Sequence, residues 1–148
     1  MPNTPALVGE GITGVCKNDL VTEEEFTYVL KLLSSFGLAE AISESLMDAV
    51  VSVSGSSPAY VFLFIEAMAD AAVADGMPRA QAYKFAAQAV LGSAKMVLET
   101  GKHPAELKDM VCSPAGTTIE AVRVLEEKGF RGAVMDAMKA CTAKAKGI

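Results

Sequence analysis

A short stretch late in the chain combines residue types that bind anions. Its sequence, VCSPAGTTIEAV over residues 111–122, places small side chains, a proline and three hydroxyl groups where an apolar helical pattern begins. Two helix starts fit the spacing: Ser113 with Pro114 in the first turn, or a capping box of Thr117 and Glu120. The pattern therefore predicts a helix start and leaves its first residue open.

Either start would offer backbone donors to an anion. The N–H groups of residues 113–118 would lie at a helix N-terminus, where the first turn has no internal acceptors, and Ala115 and Gly116 would leave them accessible. Most capping boxes only begin helices. From the residues alone, the stretch is either a helix start or a cradle for a carboxylate or phosphate.

Other reactive side chains fit structural roles better. His103 precedes Pro104 at a helix entry and has no second metal ligand at suitable spacing, so a turn residue is predicted and no metal site is expected. Cys112 lies beside the cradle and is assigned no catalysis. Glu66 and Asp70 lie four apart on one helical face, which is typical of a solvated or ion-paired edge.

Composition narrows the possible partners. The chain has 148 residues, 51% of them hydrophobic, which is enough for a core. Its formal charge of -5 and the lack of a Lys/Arg cluster argue against binding to nucleic acid or to an anionic membrane. The three irregularly spaced cysteines, Cys16, Cys112 and Cys141, are typical of free thiols, so a cytoplasmic protein is expected.

The first forty residues differ from the rest. ITGVCK is predicted to be a strand, Thr22 and Glu25 form a capping box that opens a helix, and Gly37 ends that helix. LAEAI then reads as a second short strand. Because two strands bury too little apolar surface to be stable alone, they are interpreted as the end of a larger sheet.

From Glu44 onward the pattern is helical, so the predicted class is mainly α. One helix is expected to stop near Gly55, and the next to restart with Ser57 as N-cap and Pro58 in the first turn. The remaining predicted helices run to about Gly76, from Pro78 to Gly101, from Ala105 to Met110, from Gly116 to Lys128, and from Arg131 to near the C-terminus.

The segment over residues 59–74 is apolar almost all round. Only Glu66 and Asp70 interrupt it, and it is short for a bilayer, so no membrane anchor is expected. Such a helix must be covered on most faces. Small residues in the next helix would let another backbone approach, which predicts an interlocked dimer; they are Ala89, Gly92, Ser93 and Ala94.

The segment over residues 104–126, PAELKDMVCSPAGTTIEAVRVLE, resembles the signature of the pyrroline-5-carboxylate reductase family, whose members make proline. MPNTPALVGEG resembles the loop that leaves the family's nucleotide-binding domain, and SGSSPAY with ADAAVADGMPR resembles the ends of its first long dimerisation helix. At Ser57 and Ala115 the family more often has glycine.

The resemblance implies a division of the chain into two parts. Residues 1–43 would be the last part of a dinucleotide-binding domain, a short β-α-β remnant of a Rossmann-type sheet, and residues 44–148 an all-helical dimerisation and substrate-binding domain. The sequence contains no GxGxxG turn, so it is interpreted as a piece of a longer protein that lacks the cofactor-binding half. Alone it is expected to be inactive.

The resemblance also implies chemistry. NADPH or NADH would donate hydride to the C=N carbon of 1-pyrroline-5-carboxylate, giving L-proline, with no metal. Thr118 would hydrogen-bond the ring nitrogen as the catalytic contact, and Asn3 and Thr4 would lie near the nicotinamide. The substrate carboxylate would be bound by the cradle residues Ser113, Ala115, Gly116, Thr117 and Thr118.

Two other hypotheses remain. The chain could be a non-catalytic helical homodimer that binds a small carboxylate, since it lacks the cofactor half. It could also belong to another NAD(P)-dependent reductase with helical dimerisation, although such families would not require SPAGTT at this helix start. The choice between NADPH and NADH, and oligomers above the dimer, stay open.

Overall fold

The computed structural model describes residues 1–147, and most of them lie in helices. The class predicted from the sequence, mainly α with a small β-α-β start, is confirmed. The strands and α-helices are β1 (Gly11–Val15), α1 (Glu23–Leu33), β2 (Gly37–Ala41), α2 (Met47–Val50), α3 (Ser57–Ala74), α4 (Arg79–Thr100), α5 (Pro104–Val111), α6 (Thr117–Glu127) and α7 (Phe130–Ala145).

The β-α-β start forms as predicted. β1 and β2 pair in parallel, with Gly11 opposite Gly37, and α1 connects them. Both bonds of the Thr22 and Glu25 capping box are present. Gly37 has φ 145°, and a Cβ there would lie 2.0 Å from the carbonyl oxygen of Gly11, so only glycine fits.

The helical stretch before α4 is less regular than expected. A 3-10 turn (Glu44–Leu46), α2 and a π turn (Val51–Gly55) precede α3. The break near Gly55 is confirmed, but the assignment of Ser57 as N-cap is wrong, because its hydroxyl donates backwards to the carbonyl of Val53 at 2.8 Å.

The length of this stretch changes one expectation. From Glu44 to Ala74 the helical segment is long and apolar enough, by length and composition alone, to cross a membrane. The prediction of no membrane anchor, made from the length of residues 59–74 alone, therefore does not extend to the whole stretch.

The structure divides into two compact units, with the division falling within α3 and α7. The first contains residues 1–61 and the chain from Met135 onward, and the second contains residues 62–134. Within the second unit, α5 lies against α4. His103 begins α5, and Gly101 ends α4 in the left-handed conformation at φ 64°.

Few apolar side chains are buried within one chain. In the second unit Phe62, Leu63 and Phe85 are 60%, 68% and 68% exposed. The chain exposes 10596 Å², whereas a monomeric protein of this mass exposes about 7,200 Å². In the part of the chain that the structure describes, the buried apolar residues are Ala69, Ala82, Ala86 and Leu107.

Candidate anion-binding site

The loop between α5 and α6 forms the candidate site. α6 starts at Thr117, and its N-cap is Gly116, with φ -78° and ψ 169° and no side-chain cap. The predicted helix from about Gly116 to Lys128 is therefore confirmed, but both predicted N-caps, Ser113 and Thr117, are wrong. The capping box does not form because the Glu120 carboxylate bonds to the guanidinium of Arg123, one turn forward, at 2.9 and 2.6 Å.

The start of α6 presents free backbone donors. The N–H of Gly116 donates to the carbonyl of Ser113 at 3.0 Å. Over residues 1–147 the structure gives no acceptor for the N–H groups of Thr117, Thr118 and Ile119. Because the positive end of the helix dipole lies at the same place, these three groups can take an anion.

Gly116 keeps the loop tight. A Cβ at this position would lie 2.3 Å from Ser113 Oγ and 3.1 Å from the carbonyl oxygen of Ser113, so the serine hydroxyl occupies the space that a side chain would need. The glycine thus leaves room for the Ser113 hydroxyl beside the N-cap of α6.

Ala115 is strained. Its φ is 55°, which makes it the one non-glycine residue with positive φ among those described. This conformation costs an alanine about 1–2 kcal/mol. Strain of this kind is retained where the surrounding structure requires it and is concentrated at ligand sites.

The two threonines of the loop differ in environment. Thr117 is exposed and Thr118 is half-buried. Neither hydroxyl has a hydrogen-bond partner within the described chain. The Thr118 hydroxyl is therefore a partly enclosed polar group that is free to bond a ligand beside the N–H groups.

Charges around the loop are paired. Arg123 bonds to Glu120 and Glu127, and its guanidinium lowers the pKa of the Glu120 carboxyl. The hydrogen bond with Glu120 in turn raises the pKa of Arg123. Glu120 is thus held as an anion that points along the helix, away from the free N–H groups.

Asn3 and Thr4, the other predicted site residues, belong to the first compact unit, whereas the loop belongs to the second. The Asn3 carboxamide is bonded at both polar atoms, since Oδ1 accepts from the N–H of Ile12 at 2.9 Å and Nδ2 donates to the carbonyl of Ser54 at 3.1 Å. Thr4 is exposed and begins a 3-10 helix, Thr4–Val8.

The remaining reactive residues take the structural roles predicted for them. His103 is the N-cap of α5, and its Nδ1 accepts from the N–H of Ala105 at 3.1 Å. Asp70 forms an ion pair with Arg79, while Glu66 is exposed. Among residues 1–147, three potential metal ligands nowhere come together.

One side-chain cluster had no local signal in the sequence. Cys141 Sγ donates to Ser56 Oγ at 3.3 Å, from 85 positions away. Hydrogen bonds with Ser56 and then with Tyr60 lower the pKa of the Cys141 thiol, and the hydrogen bond between Tyr60 and Cys141 raises the pKa of Tyr60. The sequence indicated only a free thiol at Cys141.

The fold and the loop define a class: a mainly α-helical protein with a parallel β-α-β start and a helix N-terminus that can accept an anion. The family model for pyrroline-5-carboxylate reductase dimerisation matches residues 44–148. The chain belongs to this family.

Individual relatives agree with this assignment. The chain is 70% identical over all its 148 residues to the pyrroline-5-carboxylate reductase of Escherichia coli K12, and covers 55% of that protein. It resembles the pyrroline carboxylate reductase of Plasmodium falciparum solved with NADP bound, with a TM-score of 0.92 and 39% identity over 99% of this chain and 60% of that one. It also resembles the solved structure of the Coxiella burnetii pyrroline-5-carboxylate reductase, with a TM-score of 0.95 and 36% identity over 99% of this chain and 55% of that one. The chain spans about half the length of the curated relatives it matches.

Proposed function

We propose that this chain supplies the dimerisation and substrate-binding part of a NAD(P)H-dependent reductase that converts 1-pyrroline-5-carboxylate to L-proline. The observation that carries the proposal is the start of α6, where three N–H groups and the Thr118 hydroxyl are free within a match to the dimerisation family. In this proposal residues 1–43 complete a dinucleotide-binding domain and residues 44–148 form the helical domain.

The cradle binds and orients the substrate. The N–H groups of Thr117 and Thr118, with the loop Ser113, Ala115 and Gly116 around them, hold the carboxylate at the positive end of the helix. The Thr118 hydroxyl bonds the ring nitrogen. Because a pyrroline nitrogen is basic enough to take its proton from water, the protein needs only to orient the ring and exclude solvent.

When bound, NADPH or NADH supplies the hydride that adds to the C=N carbon. The exposed Thr4 hydroxyl has no partner within residues 1–147 and fits a polar contact with the nicotinamide. Asn3 would lie near the nicotinamide too, but its side chain is bonded at both ends and offers the cofactor no free polar group. The pyrophosphate would be held outside these 148 residues, which contain no glycine-rich turn for it.

A second copy of the chain covers the apolar helices. The exposed surface of one chain exceeds that of a monomer of this mass by about 3,400 Å². Two copies would together have about 6,800 Å² to bury, which is enough for an obligate interface of about 2,000–5,000 Å² or more. A groove of about 470 Å³ lies between α3 and α4 in the second unit. It is lined by Phe64, Met68, Ala89, Val90, Ser93, Ala94 and Val97.

The groove suits a helix better than lipid. A Cβ at Gly92 would meet nothing within 4 Å, so a partner backbone can approach α4 closely there. Asp70 and its partner Arg79 are charged groups near the end of the apolar stretch. We therefore assign the stretch to a homodimer in the cytoplasm, where the three free thiols would stay reduced.

Calorimetric titration with L-proline tests the cradle. The chain should bind proline, and the Gly116→Val variant should not, because the added side chain needs the space of the Ser113 hydroxyl and would displace the loop around the free N–H groups. If both proteins bind equally, the cradle assignment is wrong. Proline binding without any reductase activity when a nucleotide-binding half is supplied would favour the alternative, a non-catalytic carboxylate-binding dimer.

A second assay addresses the cofactor half. The purified 148-residue chain should not turn over pyrroline-5-carboxylate with NADPH, because its sequence contains no glycine-rich turn to hold the pyrophosphate. Turnover by this chain alone would contradict the proposal that the pyrophosphate of the cofactor is held outside these 148 residues.

A further inference from the structure

The Asn3 carboxamide joins two elements that are distant in sequence. Its Oδ1 accepts from the N–H of Ile12 in β1, and its Nδ2 donates to the carbonyl of Ser54 in the π turn, 51 positions away. Both elements lie in the first compact unit.

The Ser54 carbonyl needs this donor because of Pro58. In a regular α-helix the carbonyl of residue 54 would accept from the N–H of residue 58, but proline has no N–H and its ring clashes with the carbonyl four residues before it. The next N–H, that of Ala59, donates to the carbonyl of Ser56 at 3.1 Å. The carbonyl that Asn3 meets is thus the one that Pro58 leaves without its helical donor.

The oxygen of the Asn3 carboxamide accepts a hydrogen bond at the edge of β1 that does not pair with β2. On this edge the N–H of Gly14 donates to the carbonyl of Met1 at 3.1 Å. Two residues along, the N–H of Ile12 faces the same way, and the Asn3 side chain takes the place of a neighbouring strand.

We propose that Asn3 is a positioning residue: its carboxamide replaces the N–H that Pro58 lacks and holds the π turn against the edge of β1. The bonds also fix the start of the Thr4–Val8 turn. For the reductase, and resting on the proposed function, Asn3 acts through the placement of Thr4 rather than by side-chain contact with the cofactor.

The two bonds of the Asn3 carboxamide, to Ile12 and to Ser54, form a clasp. A double-mutant cycle in the 148-residue chain tests it. Asn3→Asp keeps the acceptor for Ile12 but removes the donor to Ser54, and should lower the thermal midpoint. Pro58→Ala restores a backbone N–H at residue 58, so Asn3→Asp should lose less than half as much in that background. Equal losses in both backgrounds would overturn the proposal.

The matched control is Asn18→Asp. Asn18 Oδ1 also accepts a backbone N–H, from Leu20 at 3.1 Å, but its amide nitrogen has no acceptor within the described chain. This variant should change the midpoint little and show no coupling to Pro58→Ala. If it lost as much as Asn3→Asp, the loss would reflect the added charge and the proposal would fail.

Hydrogen exchange covers the case in which Asn3→Asp does not fold. The Asn3 side-chain N–H should exchange slowly in the parent chain and at least tenfold faster in Pro58→Ala, because the Ser54 carbonyl then has another donor. Equal exchange would refute the clasp. Stability and exchange are measured in this chain itself and need no catalysis. Absence of reductase activity would therefore contradict the proposed function and leave the structural role of Asn3 unaffected.

In a reductase assembled with a nucleotide-binding half, the rescue distinguishes placement from contact. Asn3→Asp should reduce kcat, and adding Pro58→Ala should restore most of it. If the added change restored stability but no activity, the Asn3 side chain would contact the cofactor directly and its role as a positioning residue would be wrong.

Discussion

Ser113 Oγ lies 2.3 Å from the point where a Cβ of residue 116 would stand, so the hydroxyl of one residue fills the side-chain space of the other. Removing that hydroxyl should make room. We expect Gly116→Ala alone to weaken proline binding roughly tenfold, and the Ser113→Ala/Gly116→Ala pair to recover part of it. Calorimetry on the three proteins measures this, and a double variant no better than the single one would place the clash at the Ser113 carbonyl instead.

Thr118→Ala should lower the rate of pyrroline-5-carboxylate reduction, because it removes a hydrogen bond to the reacting ring that is worth roughly tenfold. Thr117→Ala is the control. Since Thr117 is the first helical residue and not the N-cap, neither change should alter thermal stability much. Steady-state kinetics and melts decide the matter: full activity with a much lower melting temperature in Thr118→Ala would leave the stretch as a helix start only.

Ala115→Gly should stabilise the protein. Glycine relieves the left-handed backbone at φ 55° but adds freedom to the unfolded chain, so the net gain should be about 1 kcal/mol or less. The same change at Ala87, an exposed residue inside α4 that does not line the groove, should instead cost about 1 kcal/mol. Denaturant melts compare the two, and a loss at both positions would mean that the loop does not store strain.

Phe64→Asp should disrupt the dimer. Phe64 lines the groove between α3 and α4, and a charge there would be buried without a partner on association, at a cost of several kcal/mol. Thr27→Asp adds the same charge on α1, outside the helical domain, and should have no effect on mass. Analytical ultracentrifugation measures the result, and a dimer of unchanged mass with Phe64→Asp would show that the interface uses another face.

Ser56→Ala should raise the pKa of Cys141, because the hydrogen bond with Ser56 is the first cause of its lowered pKa. The pH midpoint of Cys141 alkylation, followed by peptide mass spectrometry, should move upward. Ser57→Ala is the control, since that hydroxyl donates to Val53. As the folded thiol has the lower pKa, its contribution to stability is present above the pKa of the unfolded thiol and is lost as pH falls through the folded value. A midpoint that Ser56→Ala left unmoved would contradict this.

The sequence predicted elements whose signals are local. Thr22 and Glu25 formed their capping box, and Gly101 ended its helix, because each motif is satisfied within a few residues. The start of α6 was not predictable in the same way. The sequence offered two possible N-caps. The capping box of Thr117 needs the Glu120 carboxylate, and that carboxylate is bonded to Arg123 instead.

Long-range partners explain what the sequence could not show. The sequence around Ser54 and Ser57 gives no sign that Asn3 would donate a hydrogen bond to the carbonyl of Ser54. Asn3 and Ser54 are 51 positions apart and meet only in the folded chain. For the same reason the contact of Cys141 with Ser56 was missed. The residues of the cradle were identified by family resemblance and by N-terminal chemistry, and their roles in binding remain predictions.

Because so few apolar side chains are buried within one chain, folding should depend on protein concentration. With so few apolar side chains enclosed, most of the free energy of unfolding would come from association, so the melting temperature should rise with protein concentration. A newly made chain would then present Phe62 and Leu63 to the cell until it meets a second copy, and its lifetime would depend on how fast that encounter happens.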